Sequence, residues 1–597
     1  FFNNNVALIK ADGSGDIFHP VNSGFGEGNA KWAMDGKMMT YENSKEGRTS
    51  LAMNGGSEQD IYAIFFDQEA YDKYELSKEE FELLNDKEEK EKKEAEEKEK
   101  EEDGKKKKKK DDDKEKTEPL KLNLENLDLR KEKLTINSSN ISDYVLNKDA
   151  SKVYYLTSFE KGYDLWVTEP RTRETKILAK MGGSPSGIEI SDDDKTLFMS
   201  NHGKLVKVDA EKGSVSSIDI DGDMRLDTYA ERQYMFDHMW RQVVKKFYDP
   251  TIHGINWQMY HDEYAKFLPQ INNNYDFQEL LSELLGELNA SHTGGRYRPQ
   301  HDNADVTASL GLLFDEDYAG EGIKVDEVIA GGPVDKANNK IKKGDIITAI
   351  NAQKIGADEN YNKYLNNIVD KNTLLTVKSG TKIFDQTIKP VSMGAQGQLM
   401  YKRWTDMMEH KVDSLSGGKL GYIHIRGMND GSFREVVDRT MGKNIDKKGL
   451  VVDTRFNGGG WLHDDLNTFL SGKAYLKFAP QGKVVSGGEP MTRWSKPSIV
   501  VMSESNYSDA FIFPYVYKQN GVGKLVGMPV PGTGTAVWWE QQIDPTIVFG
   551  IPMVATIGAE GRPTENLELE PDIEVPLPYN EFLHGNDPQI QAAVKEL

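Results

Sequence analysis

The run Ser498-Ile-Val-Val-Met502 is β-branched and apolar, breaks into a short polar loop, and is followed by an apolar segment with helix character that Ser508 and Asp509 open. Strand, short loop and helix in succession predict a crossover unit of an α/β sheet, and Leu420-Gly-Tyr-Ile-His-Ile425 and Leu450-Val-Val-Asp-Thr454 supply further strands of the same kind. Residues 394–597 are therefore read as an α/β domain, closed by a capped helix in Asp587-Pro-Gln-Ile-Gln-Ala-Ala-Val-Lys-Glu-Leu597. The layout also puts a serine hydroxyl and free backbone N–H groups at a helix N-terminus, where the partial positive charge favours a developing oxyanion. A serine in that place can equally be an N-cap and nothing more.

Two other stretches bear on that choice. Val451-Val-Asp-Thr-Arg-Phe-Asn-Gly-Gly-Gly460 runs from a strand into three glycines, which either form a tight turn or let backbone N–H groups approach a substrate carbonyl. Gly286-Glu-Leu-Asn-Ala-Ser-His-Thr-Gly-Gly295 places Ser291 and His292 in a loop that closes a helical segment. In order, spacing and local context the three stretches together resemble the tricorn protease family of serine peptidases.

That resemblance implies roles. Ser508 is the nucleophile, His292 its base, Ser291 the group that orients the base, and a carboxylate behind Ser291 completes a tetrad. The matching carboxylate is Glu565, in Pro563-Thr-Glu-Asn-Leu-Glu-Leu-Glu-Pro-Asp572, with Glu568 and Glu570 as nearby competitors. Oxyanion donors are the N–H groups of Asp509 and of Gly459, with Gly460 next in line. A serine–lysine dyad using Lys518 or Lys524 is the weaker alternative. No G-x-S-x-G elbow and no H-E-x-x-H motif occurs, and His463-Asp464-Asp465 reads as a solvated helix start and not as a metal cluster. No metal and no organic cofactor is implied. Archaeal members of the family carry an acid after the glycine loop that selects basic residues; between Asp465 and Glu489 this chain has only Lys473, Lys477 and Lys483 as charges, so basic preference should be weakened and apolar or acidic side chains accepted.

Upstream, residues 1–221 alternate apolar and polar residues in short runs, with strands in Val153-Tyr-Tyr-Leu-Thr-Ser158, Asp164-Leu-Trp-Val-Thr168 and Thr196-Leu-Phe-Met-Ser200. A loop signature precedes such strands at Trp32-Ala-Met-Asp-Gly-Lys37, Leu146-Asn-Lys-Asp-Ala-Ser-Lys152 and Ile190-Ser-Asp-Asp-Asp-Lys195, and the spacing of the last two is that of one four-stranded propeller blade. The region has room for about four or five blades of a β-propeller, and the chain, which opens without a Met, is expected to be a fragment whose N-terminus carried the others. A Glu/Lys tract at about 77–117, containing Lys105 to Lys110 and Asp111 to Asp113, is expected to be a solvated, low-complexity insertion.

Residues 222–305 read as a small helical domain delivering Ser291 and His292, with Phe236, Trp240, Val243 or Val244 and Phe247 at helix spacing and further helices from His261 to Leu268 and from Asp276 to Leu288. Residues 306–393 resemble a PDZ domain, in Ser309-Leu-Gly-Leu-Leu-Phe314, the Gly-Pro turn after Ile323-Lys-Val-Asp-Glu-Val328 and the Gly-Asp turn before Ile346. Such a groove holds a peptide terminus on backbone N–H groups, here at Leu310, Gly311 and Leu312; the alternative is a spacer. The fold class is thus a multidomain chain with a partial β-propeller, a helical domain, a PDZ domain and an α/β core of the crotonase or ClpP type.

The net charge of -22 argues against nucleic acid as a partner, although Lys105 to Lys110 leave a polyelectrolyte binder as a rival. No apolar run is long enough to span a bilayer, and with no cysteine the chain has no disulfide, thiolate zinc site or cysteine nucleophile. By resemblance the chain is an endopeptidase acting on peptides or unfolded polypeptides, a homo-oligomer of the hexameric kind, cytoplasmic as in archaeal relatives or exported as bacterial ones often are. A peptide-binding scaffold without activity is the reading from another class.

Overall fold

The computed structural model describes residues 4–87, 90–91, 120, 122–159, 162–299, 301, 303–484 and 488–597. Most of the Glu/Lys tract lies outside the described residues. The chain divides into two compact units, Phe1–Ser50 with Gly55–Arg225, and Leu51–Asn54 with Leu226–Leu597.

The first unit holds three antiparallel four-stranded sheets whose strands follow in sequence order, as in propeller blades: β1 (Glu27–Ala33) to β4 (Lys131–Lys133), β5 (Asn140–Leu146) to β8 (Glu174–Ala179), and β9 (Ser186–Ile190) to β12 (Val215–Ile218). Alternation fixes their stacking. In β6 (Val153–Ser158), Val153 and Tyr155 pack with Ile61, Phe65 and Tyr144, whereas Tyr154 and Leu156 pack with Leu197, Met199 and Val208. Each of the three loop signatures joins the first two strands of its sheet. Among the described residues, three such sheets stand where room for four or five was expected. The first takes more than twice the usual length because the charged tract interrupts it between β3 (Asp60–Phe65) and β4.

In the second unit, α1 (Thr228–Lys246), α2 (Trp257–Ala265) and α3 (Asn274–Gly286) form the helical segment. Asp227 caps α1 by accepting from the N–H groups of Tyr229 and Ala230, and Asn273 caps α3. The apolar stripe of α1 runs through Met235, Phe236, Met239 and Val243; Val244 is exposed. This segment does not close a core of its own. Its stripe, with Phe277, Leu281 and Leu284 of α3, packs on Ile547, Phe549 and Ile551 of β27 (Ile547–Ala555), more than two hundred residues later. Ordinary periodicity could not reveal that the domain is completed by a distant hairpin.

The PDZ segment pairs β15 (Leu312–Phe314), β16 (Ile323–Val328), β17 (Ile346–Ile350), β19 (Thr373–Ser379) and β20 (Lys382–Ile388) in that order, with β18 (Gln353–Lys354) on β17. The α/β core is a five-stranded sheet, β22 (Leu420–His424), β23 (Gly449–Asp453), β24 (Ser498–Met502), β25 (Lys524–Gly527) and β28 (Ile573–Glu574), with every pair parallel. Val451, Ile499, Val501 and Val526 meet Met408 and Val412 of α4 (Met393–Ser416) and Ile590 and Ala593 of α8 (Pro588–Glu596). Val452, Val500 and Met502 face Phe433 and Val436 of α5 (Asp430–Met441), Leu466 and Phe469 of α6 (His463–Leu470), and Phe511 and Phe513 of α7 (Asp509–Gln519). Helices on both faces explain why β23 and β24 are buried along their whole length.

Because Phe549 belongs to β27 yet sits fully buried in the core shared with the helices, Phe549→Ala should lower the unfolding free energy by about 3–5 kcal/mol in denaturant titration. A loss below about 1 kcal/mol would mean that the helical segment is stable without the hairpin.

Candidate active site

Parallel sheets bring their loops together at the carboxyl ends of the strands, and two of those loops matter here: residues 454–460 after β23 and residues 503–508 after β24. Between β25 and β28 the chain leaves the sheet to form the hairpin β26 (Thr535–Gln541) and β27. β13 (Gly295–Tyr297) adds to β27 antiparallel, with Gly295 opposite Phe549, and the Gly550 N–H donates to Gly294 O at 3.1 Å. A Cβ on Gly550 would lie 2.2 Å from the His292 carbonyl oxygen, so only glycine lets the two segments approach.

This pairing delivers His292 to Ser508. His292 Nε2 lies 2.8 Å from Ser508 Oγ across 216 residues of sequence, and His292 Nδ1 lies 2.7 Å from Ser291 Oγ. Ser291 Oγ donates to Glu565 Oε2 at 3.0 Å, while the Ser291 N–H donates to Glu565 Oε1. All four residues named from the sequence thus lie in one hydrogen-bonded line. Glu565 is buried, whereas Glu568 and Glu570 are exposed. Lys518 Nζ is held by Glu570 O and Asp572, and Lys524 by Glu596, so neither lysine is joined to Ser508.

Ser508 stands at the N-cap position of α7, but its side chain makes no capping hydrogen bond. Its φ of 57° and ψ of -124° are strained for a residue with a side chain, and its hydroxyl turns to His292 without capping α7. Its own N–H donates to Thr533 Oγ1 at 2.7 Å. At the start of α7, the Ala510 N–H donates to Tyr507 O and the Phe511 and Ile512 N–H groups to Ser508 O; among the described residues the Asp509 N–H has no acceptor. Gly459 and Gly460 have φ of 94° and 142°, and a Cβ on Gly459 would meet Ser508 Cβ at 2.6 Å. The Gly459 N–H is donated to Asn457 Oδ1 at 2.8 Å, whereas the Gly460 N–H has no acceptor among the described residues. A cavity of about 200 Å³ lies here, lined by His292, Gly460, Trp461, Ser508, Asp509 and Ile512 together with Thr535, Ala536, Val537 and Thr556.

Burial acts on both ends of the relay in the same direction. It pushes the His292 imidazole down to about 4 and raises the Glu565 carboxyl, the latter against the Ser291 hydrogen bonds that favour its charged form. Several participants carried no signal that sequence reasoning could use. Thr535 Oγ1 lies 3.2 Å from both Ser291 Oγ and His292 Nδ1, and Tyr507 Oη accepts the His292 N–H at 2.6 Å. His463 corrects an expectation: it does begin α6, but its Nδ1 is bonded to the buried Asp509 carboxylate and its ring is only partly exposed. In the PDZ segment, Leu310 and Leu312 are buried in the core and the Gly311 N–H donates to Ser309 Oγ at 3.0 Å. Since Ile329 donates to Gly311 O, Leu312 and Val328 form a non-hydrogen-bonded pair, and the Leu312 backbone faces the open edge of β15.

Comparison with known families finds the Tricorn protease C1 domain over residues 228–286, the PDZ domain over 301–358 and Peptidase family S41 over 419–575. The chain is 27% identical over 388 residues to a putative Tricorn-like protease C-terminal subunit of Sulfurisphaera tokodaii, covering 62% of this chain and 43% of that protein. It is 24% identical to Tricorn protease homolog 1 of Streptomyces coelicolor, covering 69% of this chain and 40% of the other, and 24% identical to the tricorn protease of Thermoplasma acidophilum, covering 74% and 42%. The chain therefore spans about two-fifths of the length of these relatives. A crystal structure of the tricorn protease superposes with a TM-score of 0.77 at 18% identity, covering 97% of this chain and 55% of that one. No described helix is long and apolar enough to cross a membrane. The chain thus carries a Tricorn C1 segment, a PDZ domain and an S41 peptidase segment in this order, and it shares the fold of the tricorn protease.

Proposed function

We propose that the chain is a serine endopeptidase that cleaves peptides or unfolded polypeptides through an acyl-enzyme, with Ser508 as nucleophile. The observation that carries this reading is the unbroken hydrogen-bonded line from Ser508 Oγ through His292 and Ser291 to Glu565, beside two unused N–H donors. For His292 Nε2 to accept the Ser508 proton, Nδ1 must carry the ring hydrogen and donate to Ser291 Oγ, which in turn donates to Glu565. As Ser508 Oγ bonds to the scissile carbonyl carbon, its proton passes to Nε2 and the carbonyl oxygen becomes an oxyanion. The Gly460 and Asp509 N–H groups receive that oxyanion, in place of the Gly459 donor that the sequence suggested. Collapse breaks the C–N bond, the leaving amine takes the proton from Nε2, and water repeats the cycle on the acyl-enzyme.

The cavity walls bear on the substrate. Trp461, Ile512, Ala536 and Val537 give it an apolar lining, Thr535 and Thr556 add hydroxyls, and both oxygens of its one carboxylate, Asp509, are bound by Leu462 and His463. None of Lys473, Lys477 and Lys483 lines it. These features support small or medium apolar side chains at the cleavage site. Similarity to the tricorn proteases supports a homo-oligomer, hexameric by that analogy, and a cytoplasmic setting, with export as the alternative. The open edge of β15 at Leu310, Gly311 and Leu312 supports a PDZ site for peptide added as a strand, held by the Leu312 backbone in particular.

With a fluorogenic peptide library, Ser508→Ala and His292→Ala should each lower turnover by about 10⁴- to 10⁶-fold while leaving folding and assembly unchanged. A folded wild type that cuts nothing and takes no fluorophosphonate would return the chain to the scaffold reading. The base works only when neutral, and His292 is neutral above its depressed value. The acid limb of kcat/KM should therefore lie well below the ordinary histidine value of 6.5, towards pH 4. In the same library the preferred residues should be apolar; cleavage confined to Arg and Lys would contradict the pocket assignment.

A further inference from the structure

Asp509 lines the cavity beside Ser508, yet its carboxylate is engaged elsewhere. The residue is 1% exposed; Oδ2 accepts the N–H groups of Leu462 and of His463 (3.0 Å), and Oδ1 accepts from His463 Nδ1. Leu462 and His463 follow directly on the glycine loop and Trp461. One carboxylate thus fastens the residue after the nucleophile to the stretch that carries Gly460. The two N–H groups assigned to the oxyanion belong to the two segments this clamp joins.

Asp509 Oδ2 accepts the Leu462 and His463 N–H groups at the start of α6 without needing a side chain from position 463. The imidazole is therefore an addition to the clamp. Its side chain is 19% exposed and packs edge-on to the Trp461 ring at 5.3 Å, so solvent reaches it while its orientation is held. On the serine peptidase reading of Ser508, we infer that His463 is a positioning residue: through Asp509 it fixes the spacing of the Asp509 and Gly460 N–H groups, most firmly when its ring is charged.

The charges around the ring agree with this. Asp509 faces it from α7, Asp464 and Asp465 lie on its own helix, and Asp430 of α5 acts on Asp465. Burial opposes the imidazolium, but Asp509 and the neighbouring aspartates outweigh burial and raise the ring above its ordinary 6.5. A hydrogen bond to a charged donor is roughly twice as strong as a neutral one. The charged clamp is complete below pH 6.5 and is lost as pH rises through the raised value. It thus acts on the opposite side of the ordinary histidine value of 6.5 from His292, and the pH profile becomes a bell with His463 on its alkaline limb.

The test compares wild type, His463→Ala and His463→Asn in the full chain, by peptide kcat and KM and by the rate of fluorophosphonate labelling from pH 5 to 10. Asparagine keeps an N–H donor for Asp509 and removes the titration. His463→Ala should lower kcat and labelling rate about 10-fold near neutrality with KM within about 2-fold, a part of the 100- to 1000-fold that losing a donor outright costs. His463→Asn should stay within about 3-fold of wild type and lose the alkaline decline while keeping the acid limb, which a purely structural role would not produce. An unchanged His463→Ala, a His463→Asn as slow as the alanine variant, or an asparagine variant with the wild-type alkaline limb overturns the proposal. If His463→Ala does not fold, the alkaline limb of His463→Asn decides. A wild type that takes no label fails the peptidase reading first, and that failure is distinct because no variant is then compared.

Discussion

The pairing of β13 with β27 is the contact on which the site depends. Without it Ser291 and His292 would hang at the end of α3, in a helical segment whose core is unfinished. The same hairpin whose inner face completes that core also begins at Thr535, which touches both Ser291 and His292, and precedes the loop that brings Glu565. Burial of Phe549 and placement of the base are therefore one event. A domain border drawn at residue 305 divides the sequence conveniently but cuts through this core. The close approach demanded at Gly550, where any side chain would displace the His292 carbonyl, explains why so long a loop closure ends in a defined geometry.

Electrostatics separates what catalysis requires from what the sheet requires. No ion pair joins the line from Ser508 to Glu565: burial lowers the His292 imidazole and raises the Glu565 carboxyl, the latter against the Ser291 hydrogen bonds. At the foot of the glycine loop the opposite holds. Arg455, fully buried, pairs with Asp453 at 2.7 Å and Asp587 at 2.9 Å and bonds Gln589, joining the end of β23 to the cap of α8. A buried guanidinium left with unfilled donors is costly, so its fixed set of acceptors holds the chain just before Phe456 and the glycines in one register. These fixed ion pairs sit under the glycine loop, apart from the hydrogen-bonded line of Ser508, His292, Ser291 and Glu565.

The elements with strong local signals were legible in the sequence. Strands β6, β7 (Asp164–Glu169) and β10 (Thr196–Asn201), the parallel strands of the core and the three loop signatures of the first unit appear where alternation and turn residues put them. Ser508, His292, Ser291 and Glu565 were legible through the family pattern, and the structure brings them within hydrogen-bond reach of one another. The number of blades was not, because a charged insertion stretches the first sheet and length alone suggests more. The glycine that keeps its N–H free was not legible either, since Asn457 chooses between Gly459 and Gly460 by a side-chain bond that spacing does not encode. His463 looked solvated beside two aspartates, yet the acid that binds it is Asp509, forty-six residues away.

What local rules miss here is concentrated at residues that break local rules. Ser508 and His292 both have positive φ, at 57° and 63°, in a chain where each could have been an ordinary helix or loop residue. Such conformations cost about 1–3 kcal/mol each and survive only where the surroundings over-determine them. For Ser508 those surroundings are Thr533 on its N–H, Gly459 against its Cβ and His292 on its hydroxyl; for His292 they are Tyr507 on its N–H and β27 behind its carbonyl. Each strained residue is thus held partly by the other's neighbours. Losing either set releases both, so the geometry of the site is a property of the pair and not of the two loops taken singly.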